Sequence, residues 1–251
     1  LEVNVMTFNI HHGRGTDRKL NLERIAHVIQ ASNADLIGLN EVDRYFSSRS
    51  NYTDQVFQLS KTLKMNYAFG EAITLSSKHF TAFRQYGNAF LSRYPIIFQK
   101  NHLLAFSSKM IENRSILEVH VRLPKQLLKI YVTHLSLNPF IHKKQTDFII
   151  KRGRDDPSPM IIMGDWNMIP KSRPWKEMSK HFVDVCDAMG KWAYYTFPSS
   201  RPRLQLDYIF VSQCIQTHSV EVVRHMPIAS DHLPLKARLG LKESSELSTR
   251  K

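Results

Sequence analysis

Apolar positions along this chain recur with two periods. Val3, Val5 and Thr7 alternate with their neighbours through Ile10, which is the period of a strand. Leu22, Ile25, Ala26, Val28 and Ile29 then fall at helical spacing, with Asn21 placed to cap the helix. Residues 35–39 read as a short buried strand that ends at Glu41. A second helical spacing, Val56, Leu59 and Leu63, lies in residues 53–63. Strand-like runs follow at 67–69, 88–91, 96–98, 116–123 and 128–133. Residues 139–152 are again helical, with Pro139 near the first turn. Residues 160–163, 206–211, 220–223 and 235–239 complete the strands.

This order predicts a mixed α/β chain with two sheets rather than one doubly wound sheet. Helices flanking two face-to-face mixed sheets make a four-layer α/β/β/α sandwich. No Pro-, Gly- or Ser-rich linker interrupts the pattern, so residues 1–241 are expected to form one domain and 242–251 a polar tail. No apolar stretch approaches the roughly 20 residues of a membrane span.

Polar motifs close many of the apolar runs. They are Thr7-Phe8-Asn9-Ile10-His11, Asn40-Glu41-Val42-Asp43, Thr133-His134-Leu135, Gly164-Asp165-Trp166-Asn167, Leu206-Asp207-Tyr208 and Ser230-Asp231-His232. They supply Asn, Glu, Asp and His but no nucleophilic Ser or Cys. That inventory suits a hard cation and a water nucleophile acting on a phosphate ester.

Each motif has a plainer explanation. Asp165 and Asn167 share a face if the strand continues, and could then hold one water between them; an Asx turn explains them equally well. Glu41, after a buried strand, needs a cation or an ion-pair partner such as Arg44. Asn9 could be a turn former, and His134 a satisfied histidine. Asp207, in an apolar strand, needs a donor: a histidine N–H, the backbone or Arg203. Asp231 and His232 are adjacent, so they would serve two neighbouring places.

Charge bears on the partner. The formal net charge is +13, which favours an anionic substrate such as nucleic acid, phospholipid or a phosphorylated metabolite. Lys143, Lys144, Lys151, Arg152 and Arg154 fit a solvated helix face better than a binding stripe. The two cysteines, Cys186 and Cys214, read as reduced thiols rather than a disulfide. The cytoplasm is slightly favoured; because the sequence opens on Leu1, a processed, secreted form stays open. A monomer is expected.

Taken in order, the motifs resemble the endonuclease/exonuclease/phosphatase superfamily, the DNase I-like fold. The resemblance runs from Thr7-Phe8-Asn9-Ile10 to Ser230-Asp231-His232-Leu233-Pro234-Leu235. The stretch from Gly87-Asn88-Ala89-Phe90 to Tyr94-Pro95-Ile96, and Thr196-Phe197-Pro198-Ser199, look like its compact bacterial members. The resemblance implies Mg²⁺, with Mn²⁺ or Ca²⁺ as substitutes, held by Glu41 with Asn9 and Asp231 nearby. It implies that Asp165, helped by Asn167, orients and deprotonates the attacking water. His232, paired with Asp207, would contact the scissile phosphate. His134 matches the phosphate-contacting histidine of the DNase I, sphingomyelinase and phosphatase branches. The AP-endonuclease branch carries a Tyr-x-Pro pattern there, absent here, which points away from abasic-site repair. Arg114 fits a phosphate contact, with an ion pair to Glu112 as the alternative.

The expected activity is metal-dependent phosphoester hydrolysis, as a phosphodiesterase or nuclease. A phospholipid or sugar-phosphate phosphodiesterase or phosphatase is the alternative, favoured by the compact length and by His134. The aromatic cluster at residues 192–197 reads as core or a cleft wall rather than a membrane anchor. A non-catalytic binding scaffold is the rival from another class, and retention of every matched polar residue argues against it.

Overall fold

The computed structural model describes residues 1–76, 83–104, 113–154, 156–190 and 194–242. The strands are β1 (Glu2–Asn9), β2 (Leu36–Arg44), β3 (Asn66–Leu75), β4 (Arg84–Ser92), β5 (Ile96–Leu104) and β6 (Arg114–Arg122). They continue as β7 (Leu127–His134), β8 (Met160–Asp165), β9 (Val183–Asp184), β10 (Asp207–Val211), β11 (Ile215–Val222) and β12 (Leu235–Leu241). The α-helices are α1 (Leu22–Ser32), α2 (Gln55–Leu63), α3 (Pro139–Arg154), α4 (Arg173–Ser179) and α5 (Val185–Ala188). The expected cap is present, since Asn21 accepts the Arg24 N–H at the start of α1.

The strands form two six-stranded sheets, ordered β11-β12-β1-β2-β4-β3 and β5-β6-β7-β8-β10-β9. Each sheet has one parallel pair, β1 with β2 and β7 with β8, and the helix joining each pair covers the outer face. Side-chain parity assigns the layers. Val3 and Val5 meet Val132, Ile161, Met163 and Ile209 in the core between the sheets. Met6 and Phe8, of opposite parity, pack under α1 and α2 with Ile25, Ile29, Val56 and Leu59. Tyr131, Ile162, Trp166 and Phe210 pack on the far side with Ile149 of α3 and Trp175 and Met178 of α4. The four-layer α/β/β/α sandwich is therefore the observed fold.

Three details depart from the sequence reading. The strand expected to stop before Glu41 runs on to Arg44, across an irregularity between Leu39 and Val42. Elements α4, β9 and α5 were not foreseen. Both cysteines are free, as expected. Residues 243–251 of the proposed tail lie outside the described residues.

Candidate active site

One parity rule builds the site. On β1 the inter-sheet face carries Val3, Val5 and Thr7, and its next position is Asn9. On β7, Leu128, Ile130 and Val132 lead to His134; on β8, Ile161 and Met163 lead to Asp165. Strand β10 runs antiparallel to β8, so its first residue, Asp207, pairs with Asp165 beyond Ile209. His134 and Asp165 are also register partners. The inter-sheet core thus ends, at one edge, in a row of polar groups where another apolar row would otherwise lie.

These groups bond to one another. Asn9 Nδ2 donates to Glu41 Oε1 and to Asp165 Oδ2, both at 3.1 Å. His134 Nε2 and His232 Nε2 lie 3.5 and 3.6 Å from that same Asp165 oxygen. His232 Nδ1 donates to Asp207 Oδ2 at 2.8 Å, the pairing expected for a buried Asp. Arg203 is not needed as its donor. Asp165 and His232 thus stand side by side at one place, not on separate surfaces.

Asn167 is positioned differently from the strand argument. β8 ends at Asp165, and Asn167 lies beyond it with a left-handed backbone, φ 48°. Its N–H donates to Asp165 Oδ1 at 3.0 Å, and its side chain donates to the Leu135 carbonyl at 3.0 Å. The Asx turn is real and also brings Asn167 to the Asp165 carboxylate. Glu41 likewise has φ 60°, at the β2 irregularity, so the extra residue re-aims its carboxylate towards Asn9. Arg44, its suggested ion-pair partner, instead binds Asp54 at 3.0 Å.

Asp231 and His232 do serve neighbouring places. Asp231 Oδ1 lies 3.9 Å from His11 Nδ1, while His232 faces Asp207. Ser230 Oγ donates to the Asn9 carbonyl at 2.8 Å and holds this loop against the end of β1. Phe197, from the aromatic cluster, sets its ring 4.8 Å from that of His232 and walls the site. Residues 191–193 of that cluster lie outside the described residues, as does Glu112. Arg114 begins β6, beside β7, and its charge acts on His134.

Burial and charge set the protonation states. Burial pushes the Asp165 carboxyl up to about 7, with Asp207 adding to the effect and His232 opposing it. Burial also opposes charge on His232, but Asp207 and Asp165 outweigh it and raise it to about 10. Burial, Arg114 and His232 together hold His134 well below the usual imidazole range. The site therefore carries an imidazolium at His232 and a neutral ring at His134.

Several residues escaped the sequence reading. Asn40, buried between the sheets, donates from Nδ2 to Asn88 Oδ1 at 2.7 Å and to the Thr133 carbonyl at 2.9 Å. Its Oδ1 accepts the Asp165 N–H at 2.8 Å. Asn88 Nδ2 then donates to the Ser115 carbonyl at 2.9 Å. The two amides thus pin the two sheets together beneath Asp165. Asn40 shares the parity of Leu36, a signal readable in the sequence. His11 and His12 flank Glu41, and both have positive φ, which the sequence does not announce.

The donors fit a divalent cation. Glu41 and Asp231 offer hard oxygens, and a group of His11, His12 and Glu41 has ligand atoms within 4.8 Å of one another. Asp165, Asp207 and His232 form a second, buried group of the same compactness.

Comparison with known proteins agrees with this geometry. Protein YbhP of Escherichia coli strain K12 is 26% identical over 257 residues, covering 94% of this chain and 96% of YbhP. An endonuclease/exonuclease/phosphatase from Beutenbergia cavernae superposes with a TM-score of 0.79 at 22% identity, over 96% of this chain and 72% of that one. A mannosyl-6-phosphatase from Bacteroides thetaiotaomicron superposes with a TM-score of 0.76 at 16% identity, over 95% of this chain and 100% of the other. Residues 6–232 match the Endonuclease/Exonuclease/phosphatase family. The chain belongs to that family, whose members hydrolyse phosphoester bonds.

Proposed function

We propose that this chain is a metal-dependent phosphodiesterase in which Asp165 activates the attacking water. The observation that supports this best is the convergence of Asn9, His134 and His232 on one Asp165 oxygen, with Glu41 on the same Asn9 amide. A carboxyl raised to about 7 is matched to proton abstraction near neutral pH. Asn167 and Asn9 hold its two oxygens, leaving it to accept the water's proton. His232, kept cationic by Asp207, donates to a non-bridging phosphate oxygen and steadies charge as it develops. His134 and Arg114 contact the same phosphate from the β6–β7 side. A divalent cation at Glu41, with Asn9 and Asp231 nearby, supplies Lewis acidity and neutralises the leaving oxygen. Mg²⁺ is the cation the family resemblance implies. No nucleophilic side chain lies among the grouped residues, so a single in-line displacement is expected.

The +13 net charge favours a nucleic acid or another polyanion as substrate. One observation favours a phospholipid instead. Leu137, Phe140 and Ile169 are 76%, 68% and 53% exposed, in the segments that leave His134 and Asp165. Lys144 lies over the Phe140 ring. Apolar side chains beside lysine suit the boundary of an anionic membrane.

Hydrolysis of bis-p-nitrophenyl phosphate, with and without chelator, tests the reaction class. Activity should vanish with chelator and return with a divalent cation. Asp165→Asn should lower kcat by at least ~10²-fold, the scale of a lost general base. Chelator-resistant hydrolysis, or full activity in Asp165→Asn, would refute the mechanism.

A further inference from the structure

The turn between β1 and α1 brings two imidazoles to Glu41. One ring nitrogen of His11, one of His12 and a Glu41 carboxylate oxygen lie within 4.8 Å of one another. His11 Nδ1 lies 3.2 Å from the Arg14 carbonyl. A carbonyl only accepts, so Nδ1 carries the proton and Nε2 keeps its lone pair. That contact is the usual way a ligating histidine is oriented. His12 is only 7% exposed, and its Nδ1 is sealed from solvent with no hydrogen-bond partner. Buried polar atoms of this kind call for an explanation, such as an ion that satisfies the ring. Asp231 Oδ1, 3.9 Å from His11 Nδ1, adds a carboxylate at the edge of the group.

We propose that His11 and His12 join Glu41 in holding the catalytic cation, and that the site prefers a borderline dication such as Zn²⁺, Co²⁺ or Fe²⁺ over Mg²⁺. The proposal rests on the reading of Glu41 as a cation ligand. Mg²⁺ takes oxygen donors in a near-ideal octahedron and keeps several waters. Imidazole suits Zn²⁺ and iron, and two imidazoles with one carboxylate are an established zinc ligand set. The adjacent His11 and His12 differ in burial, half-buried against buried, yet both reach the same carboxylate.

The test uses the full chain, stripped of metal and reloaded. X-ray absorption on the Co²⁺ and Zn²⁺ forms counts imidazole ligands. Calorimetry gives Zn²⁺ and Mg²⁺ affinities for the parent, His11→Asn and His12→Ala, with circular dichroism to confirm folding. The parent should show two imidazoles, and each variant one fewer. Zn²⁺ affinity should fall by at least ~10-fold in each variant, since even an outer partner of a ligand is worth that much. Mg²⁺ affinity should barely change. A parent spectrum without imidazole overturns the proposal. So does an imidazole count unchanged in the variants, which would place the ion at His134 and His232. Should His12→Ala not fold, the parent count and the half-buried His11→Asn decide. None of these readouts needs turnover. A chain that binds Zn²⁺ through His11 and His12 but hydrolyses nothing keeps this proposal and refutes the hydrolytic mechanism.

Discussion

Asp207 shows how one carboxylate can govern a site it does not enter. It lies behind His232, accepting from Nδ1, with Nε2 turned towards Asp165. Replacing it by Asn keeps the shape and removes the charge. His232 should then titrate lower by roughly 1–3 units, the usual effect of a close opposite charge. The alkaline limb of the pH–rate profile should move down by the same amount, and an unmoved limb would exclude the role. Stability carries the same signature in metal-free protein. His232 is raised from 6.5 to about 10 on folding, so its stabilisation is complete below pH 6.5 and fades as pH rises towards 10. Unfolding by urea across that window should show a flatter pH dependence in Asp207→Asn than in the parent. At Glu41 the same reasoning applies to the cation: Glu41→Gln should keep the fold but weaken divalent-cation binding by calorimetry. Residue identities at the site were legible because strand parity is legible: Asn9, His134, Asp165 and Asp207 all continue an apolar alternation. Glu41 and Asn167 were identified by motif, but their aim was not, because each depends on a positive φ. Nothing in the composition of His11-His12 predicts two successive left-handed residues.

Strand β2 carries the element-scale argument. It crosses the irregularity at Asn40 and Glu41, then continues to Arg44, where the apolar pattern has already been broken by polar residues. A pattern reader stops where alternation stops, whereas the backbone continues because its hydrogen bonds to β4 resume at Val42. Edge strand β5 was cut short for a related reason. Its Gln99, Lys100 and Asn101 are paired with β6 but do not enter a core, so hydropathy is silent there. Elements α4, β9 and α5 span seven, two and four residues, too little for a period to declare itself. The bulge-side amide of Asn40 makes a testable element of stability. Asn40→Ala would orphan the Asp165 N–H, the Thr133 carbonyl and Asn88 Oδ1. Each orphan costs about 1–3 kcal/mol, so urea unfolding should show a loss of at least ~3 kcal/mol. Asn40→Asp retains the acceptor for Asp165 and should lose less. Equal stability of Asn40→Ala and the parent would mean that the two sheets are not pinned there.

At the scale of the whole molecule, the sandwich places an acidic cluster at one end of a strongly basic body. The family and the layers were legible because the polar motifs are ordered along the chain and each ends an apolar run. Substrate was not legible, because charge and exposed apolar area pull in different directions. The helix lysines contribute less than their number suggests, since Lys143 pairs with Asp147 and Arg152 lies over Phe148 and near Glu118. Closer to the cluster, a recess of about 410 Å³ is lined by His11, Arg14, Gly15, Thr16, Arg18 and Asp231, with two guanidinium groups beside the proposed cation side. A polyanion crossing that recess would release counterions on binding. If nucleic acid is the substrate, kcat/KM should fall at least ~10-fold between about 50 and 200 mM salt, while bis-p-nitrophenyl phosphate responds weakly. Arg14→Ala and Arg18→Ala should each flatten that dependence. If phospholipid is the substrate, turnover should instead follow vesicle surface, and Leu137→Ser with Phe140→Ser should abolish vesicle binding while sparing the small diester. The two substitutions and the salt series therefore separate the readings. Salt-steep DNA or RNA cleavage that ignores Leu137 and Phe140 establishes a nuclease, and vesicle hydrolysis that requires them establishes a lipid phosphodiesterase.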